Sequence, residues 1–356
     1  MIRTSTKSPL ADEGISRVAA VPTHRALPVV LFLFAAILIG RSIPQQSDWQ
    51  WWFANYENWR GYMPFQGRCL MVPILHWAAL SPMMIHLAVI FKQSCLGPDN
   101  LMLEFVDVLS ILGTGAITIR LRKQFAPVSL FPWLAPFLVL WGVACTYAIR
   151  YESRFYMPYD LPALFFFSVG LLACVERRVL LFLAVLVVGT YNRETTIFLV
   201  PIWLCCNWRE AKQEKLKLWA TPLLGALIWL LVKLHIRHFT HGAASGLGIT
   251  LNWRIMLLPH HWPQNASIAG FVIWPVLFFF SKLVRDRRLK LVWFGYIPIV
   301  FIALVCGWWN ETRIFGELIP LVAVTAAIEF EQYIRDTFTP AGKYISSTHS
   351  QEALHG

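Results

Sequence analysis

VLLFLAVLVVGTYNRETTIFLVPIWLCC, residues 179–206, is the stretch on which the topology turns. Two apolar runs, each too short to cross a bilayer core of about 30 Å, flank the polar tetrad Asn192-Arg193-Glu194-Thr195. Arg177 and Arg178 stand just before the stretch, and Arg209, Lys212, Lys215 and Lys217 follow it. Basic residues collect on the cytoplasmic side of membrane proteins, so both flanks belong to one side. The stretch therefore reads as a hairpin of two short helices with residues 192–195 at its outer tip. One long tilted helix is the alternative, and it places one basic flank outside. Broken helices at membrane depth are tolerated only when buried in protein or lining a wet cavity, so the hairpin points to a cavity.

Beyond the hairpin, apolar runs of roughly spanning length fall at 26–43, 101–119, 127–149, 160–175, 218–234, 268–283, 291–306 and 314–330. The chain is 57% apolar and 14% charged, against about 25% charged in soluble domains. The fold class expected is all-α: a polytopic transmembrane bundle of about eight full spans plus the short-helix hairpin. The short alternating segments of a membrane β-barrel are absent from the sequence. Residues 1–25 read as a cytoplasmic tail, 26–330 as the transmembrane domain and 331–356 as a second tail. The run after Arg25 is longer than a signal-peptide core, and no small-residue cleavage site follows, so an uncleaved first span is expected.

With the N-terminus in the cytoplasm, the inside segments hold 20 of the 31 Lys and Arg residues, and both termini are cytoplasmic. The net charge of +11 comes from such clusters between apolar runs, which argues against a nucleic-acid partner and for a lipid bilayer. Within 41–100, the segment Cys69–Phe91 is apolar but interrupted by Pro73, His76, Ser81, Pro82 and His86. It reads as one or two interfacial helices on the outer face, with a genuine span as the alternative. Most of the seven Cys lie in apolar runs and act as small hydrophobes, while Cys69 and Cys95 are close enough in sequence to meet on the outer side.

Several constellations can carry chemistry. After the first span come Asp48, Trp51, Trp52, Glu57 and Trp59, either an aromatic belt or a sugar and lipid-head site with two carboxylates. Arg68 sits where the chain returns to the membrane and suits phosphate, or snorkels. Arg154 and Asp160 lie in and after a short outer loop. Asp160 precedes Pro162 and can both cap a helix and face a cavity. Glu-Thr-x-Ile-Phe occurs twice, at Glu194–Phe198 and Glu311–Phe315. Arg193 precedes the first copy, and Arg313 lies inside the second; each set reads as an anion site or an interhelical ion pair. Glu104, Asp107 and Glu317 are further carboxylates in apolar runs, and Glu317 lies one turn from Arg313 as a ready partner. His235, His238, His241, His260 and His261 share one loop, but no metal signature accompanies them. The expected cofactor set is therefore empty, with a divalent metal as an option.

An outer carboxylate after the first span, an aromatic Arg-bearing return segment and Glu/Arg motifs at later helix ends resemble the GT-C superfamily of polytopic glycosyltransferases. Pro64-Phe65-Gln66-x-Arg68-x-Leu70 and Arg313-x-Phe315-x-Glu317-x-x-Pro320 are similar to parts of bacterial proteins of that kind. Here Asp48 is followed by Trp49, not by the second carboxylate several GT-C families carry. The resemblance implies inverting sugar transfer from a polyprenyl-phosphate donor to a glycan or lipid-linked acceptor, on the outer face of a bacterial inner membrane. Asp48 is then the base, with Glu57 as the alternative. Arg68, Arg193 and Arg313 hold the lipid phosphate, and Trp51 and Trp52 hold sugar. Arg154, Asp160, Glu194 and Glu311 complete the substrate site. A transporter or flippase for a lipid-linked or anionic substrate is the rival class, and a non-catalytic scaffold is the third.

Overall fold

A computed structural model of the chain describes residues 26–45, 55–59, 67–91, 97–148, 156–208, 215–240, 284–306 and 316–338. Among these residues every regular element is helical and none is a strand. The longer helices are α1 (Ala26–Gln45), α2 (Met71–Leu80), α3 (Pro82–Ile90), α4 (Pro98–Phe125), α5 (Leu134–Val143), α6 (Asp160–Glu176), α7 (Val179–Asn192), α8 (Leu199–Asn207), α9 (Lys215–Phe239), α10 (Arg287–Cys306) and α11 (Ile319–Phe338).

Three stretches of helix, Ala26–Gln45, Pro98–Phe125 and Leu218–Phe239, are long and apolar enough to cross a membrane. The α2–α3 pair makes a fourth if its bent halves count as one span. Leu31, Phe34 and Leu38 of α1 and Leu223, Leu227, Leu231 and Leu234 of α9 are exposed. Apolar stripes of this extent fit lipid rather than water. These are the helices of a multi-pass membrane protein.

The structure differs in places from the expectation of about eight full spans plus the hairpin. The run 127–149 does not form one helix. Its start, with Pro127 and Pro132, is a turn, and α5 passes into a π-helical turn at Ala144–Ala148. Proline has no N–H to give to a preceding turn, so the helix begins only beyond it. α6, with 17 residues, covers the run expected at 160–175, and α7 and α8, with 14 and 9, are the short helices expected of the hairpin. The run 268–283 lies outside the described residues. The last helix starts at Ile319 rather than 314 and continues to Phe338, so the tail expected from 331 is helical at first.

Between α7 and α8 the chain turns back. Arg193 is extended (φ −159°, ψ 133°) and is followed by a 3-10 helix at Glu194–Phe198. The return path brings the Phe182 and Trp203 ring centroids to 4.7 Å. Asn207 Nδ2 then reaches Cys174 O at 3.4 Å, beside the end of α6. A single long helix over 179–206 is incompatible with these contacts. The Cys69–Phe91 segment is likewise two helices, bent by 76°. The bend falls at Ser81, whose ψ of 120° is the extended state that a following proline imposes.

Packing within the bundle relies on small residues at crossings. A Cβ at Gly295 of α10 would lie 2.6 Å from Ile202 Cα of α8, so only glycine permits this approach. One core joins α6, α7, α8, α10 and α11 around Phe167, Phe182, Trp203 and Trp293. A second joins α1, α2, α4 and α5 around Phe32, Val72, Ile111 and Val139.

One carboxylate fastens the last helix to the α4–α5 connection. Glu331 accepts from Arg122 Nη2 (2.7 Å), Ser129 Oγ (2.8 Å), Leu130 N (3.2 Å) and Phe131 N (3.1 Å). The Arg122 and Glu331 side chains are 2% and 4% exposed. Removing one partner of a buried pair costs about 3–5 kcal/mol, because the other charge stays buried. Glu331→Ala is expected to lose stability on that scale. Asp336→Asn, on the exposed Arg285–Asp336 pair, should lose less than about 1 kcal/mol. Unfolding of the purified variants in detergent micelles measures both, and equal losses would contradict the assignment.

Candidate functional site at the hairpin turn

The turn after α7 places charge inside apolar protein, and the surroundings supply its partners. Leu70 N donates to Tyr191 O at 3.0 Å, which ties the return segment to the end of α7. This sets Arg68 against Glu194. Arg68 Nε lies 3.0 Å from Glu194 Oε2, and Nη2 lies 2.6 Å from Oε1, a two-pronged pair. Arg68 Nη1 donates to Tyr159 OH at 2.9 Å, and Tyr56 OH donates to Arg68 O. All three guanidinium nitrogens are thus engaged. The Glu194 side chain keeps 29% of its surface exposed, so one edge of the pair is reachable.

Arg193, only 3% exposed, takes the other side of the turn. Its Nη1 is 3.2 Å from Glu317 Oε1 and 3.6 Å from Asp160 Oδ1. Thr195 Oγ1 donates to the same Glu317 oxygen at 2.7 Å. Asp160 Oδ2 accepts from Met157 N at 2.9 Å, so this residue both holds the start of α6 and faces the cluster. Asn192 Nδ2 donates to Tyr159 O at 2.9 Å. Two guanidinium groups here meet three carboxylates, Glu194, Asp160 and Glu317. Among the described residues, Arg193 Nε, Asn192 Oδ1 and Glu317 Oε2 are buried without a hydrogen-bond partner. Each such atom costs about 1–3 kcal/mol if nothing polar reaches it, so the cluster has capacity for water or a polar ligand.

Beside the Arg68–Glu194 pair lies a mainly apolar cavity of about 250 Å³. Trp59, Cys69, Leu70, Tyr191, His235 and Phe239 contribute to its wall. The His235 ring packs edge-on against Tyr191 (6.0 Å) and Phe239 (4.8 Å), so it serves as an aromatic wall. Lys233, half-buried and two residues earlier on α9, is within electrostatic reach of Cys69 and Glu194.

Arg68, Asp160, Arg193 and Glu194 therefore come together at this turn as ion pairs. Asp48, Trp51, Trp52, Arg154, Glu311 and Arg313 lie outside the described residues, as does Cys95. Glu317 pairs with Arg193, a residue far away in sequence. Glu104 and Asp107 share a helix face but go to different partners. Arg41 Nε (3.1 Å) and Gln45 Nε2 (2.7 Å) hold Glu104, and Tyr156 OH (2.7 and 2.6 Å) holds Asp107. Sequence reasoning missed Lys233, Tyr56 and Tyr159. Lys233 had a usable signal, since it is a cation inside the apolar run 218–234. The two tyrosines had none. Among the described residues, no group of three or more His, Cys, Asp and Glu side chains is arranged to hold a metal ion.

Glu57 is placed differently from the cluster. It is 8% exposed, and burial together with the neighbouring Asp99 pushes its carboxyl up to about 8. At neutral pH it holds its proton.

Comparisons with protein-family models, with curated proteins and with solved structures return no match for this chain.

Two outcomes are expected from this geometry. Arg68→Ala should destabilise by about 3–5 kcal/mol, and Arg68→Lys should recover only part, because an ammonium cannot reproduce the two-pronged contact. Unfolding in micelles reads both, and full rescue by Lys would reduce the pair to a point-charge contact. The second concerns pH. Folded Glu57 retains a proton that the unfolded chain releases above about 4.5, so its contribution to stability falls as pH rises from there to about 8, then levels. Thermal midpoints across that window should slope less in Glu57→Gln than in the parent. Identical slopes would place Glu57 in a more ordinary environment.

Proposed function

We propose that the chain is a membrane glycosyltransferase of GT-C type. It moves a sugar from a polyprenyl-phosphate donor to a glycan or lipid-linked acceptor on the outer face of a bacterial inner membrane, with about eight spans and both termini cytoplasmic. The observation that carries this reading is the aromatic cavity walled in part by α9, with the Glu194–Arg68 pair beside it and Lys233, also on α9, within electrostatic reach of Cys69 and Glu194. An amphiphile with an anionic head fits that combination. Its prenyl chain meets Trp59, Tyr191 and Phe239, its phosphate meets Lys233, and its sugar hydroxyls meet the exposed edge of Glu194.

Arg68 and Arg193 play a different part from the one their sequence context suggested. The Arg68 guanidinium is fully engaged and that of Arg193 faces two carboxylates, so in this reading both hold the site's shape, and the phosphate contact passes to Lys233. In the transfer step the acceptor hydroxyl oxygen bonds to the sugar C1, and the C1–O bond to phosphate breaks. The phosphate leaves with the electron pair, and the hydroxyl proton passes to Asp48. Glu57, protonated at neutral pH, is suited to donate a hydrogen bond rather than to accept that proton.

A transporter is the second reading, favoured by the broken helix with a buried Arg–Glu–Asp set at its break. Reconstituted protein given a polyprenyl-phosphate sugar and no nucleotide sugar separates the two. Sugar transfer is expected, with Asp48→Asn slowing it 10²- to 10⁴-fold and Lys233→Ala raising KM more than it lowers kcat. Substrate that crosses the bilayer unaltered would favour transport instead. A rate that climbs through pH 8 and is lost in Glu57→Gln would move the base from Asp48 to Glu57. The topology has its own check. In a Cys-free background, Trp59→Cys should label from outside and Arg178→Cys from inside, and the reverse would invert the whole assignment.

A further inference from the structure

The end of α6 away from the ion-pair cluster carries a second charged site, independent of the transferase reading. α6 has 17 residues, roughly 25 Å of rise, so Glu176 stands nearly one hydrocarbon thickness from Asp160. A cleft of about 500 Å³ there is lined by Arg120, Gln124, Val175, Glu176, Arg177 and Arg178. The Glu176 side chain is 8% exposed and organises the others. It accepts from Arg120 Nε (2.5 Å) and Nη2 (2.7 Å) and from Gln124 Nε2 (3.0 Å), and it pairs with Arg178 Nε (2.7 Å). Two guanidinium groups, those of Arg120 and Arg178, thus share one carboxylate, and with Arg177 in the lining the cleft keeps an excess of positive charge. The Arg120 and Arg178 side chains remain 48% and 52% exposed, with donors left over.

Arg177 adds an independent sign. It closes α6 in the left-handed conformation (φ 59°, ψ 35°), the position glycine ordinarily fills. A side chain there is disfavoured by the backbone, so its presence points to a use for the guanidinium. Basic clefts between helices at the membrane boundary suit phosphate head groups.

We propose that this cleft binds the phosphate of an anionic phospholipid from the adjoining leaflet. The full chain in nanodiscs tests it, with phosphatidylcholine alone compared with the same lipid plus phosphatidylglycerol. Thermal midpoint and phosphatidylglycerol retention by native mass spectrometry are the readouts. Phosphatidylglycerol should raise the midpoint of the parent. Arg177→Gly should match or exceed the parent's midpoint in phosphatidylcholine alone, since glycine relieves the backbone, yet retain phosphatidylglycerol about fivefold less well. Arg178→Gln should show a similar loss without touching that backbone, which keeps the test valid if Arg177→Gly fails to fold. Lys123→Gln, on an exposed lysine outside the cleft, should retain the lipid as the parent does. Equal losses in Lys123→Gln and the cleft variants would reduce the effect to general surface charge and overturn the proposal. A midpoint rise from inorganic phosphate in phosphatidylcholine discs equal to that from phosphatidylglycerol would make the ligand a soluble anion, and no response to either would leave the cleft without a phosphate ligand.

Discussion

A guanidinium group inside a membrane bundle cannot exist alone, and the placement of Arg193 follows from that. In a medium that cannot solvate it, the charge must meet carboxylates, and Glu317 and Asp160 are brought from two other helices to do so. This fixes where α6, α7 and α11 begin and end relative to one another. At Arg193 the backbone leaves the helical state, so α7 stops at Asn192 and a 3-10 turn carries the chain round. Glu194, the next residue, is committed to Arg68 for the same reason, which draws the return segment against the turn.

An ion-pair cluster of this kind is not by itself a source of net stability. The desolvation of five charged side chains is large, and well-packed apolar residues of similar volume would often do as well. Its value lies in specificity and in chemistry. The paired charges hold the hairpin in one register, and the unmatched oxygens and nitrogens of Glu317, Asn192 and Arg193 keep a polar spot within apolar surroundings. The aromatic cavity lies on the Arg68 side of the turn, with Lys233 within electrostatic reach of Glu194, so rings and charge stand close together there. At the far end of α6 the balance reverses. There one buried carboxylate gathers two arginines beside a third, and the excess is positive and exposed.

The tyrosines illustrate how the bundle finishes its polar inventory. Tyr156 covers Asp107, Tyr159 covers Arg68, and Tyr56 reaches the Arg68 carbonyl, all from buried positions. Each brings a large apolar ring and one hydroxyl, which lets the core stay packed while a charge or carbonyl is satisfied.

Much of the architecture was legible in the amino-acid order. Hydropathy marked the runs that became α1, α4 and α9, because a bilayer core demands about 20 apolar residues in succession. The basic flanks of 179–206 called for a hairpin, because charge cannot be spent on the wrong side. Arg68, Asp160, Arg193 and Glu194 stood out as costly residues at the edges of apolar runs. Helix lengths and partnerships were not legible. Glu317 had Arg313 as a ready partner one turn away in sequence, while the partners the structure describes, Arg193 and Thr195, come from more than a hundred residues away. Glu104 and Asp107 share a face yet part company, because α1 and the residues before α6 offer them different donors. Local spacing decides which residues need a partner, since that need comes from burial in a low-dielectric run. Which partner arrives is set by helix crossings and turns, and those exist only once the whole bundle has packed.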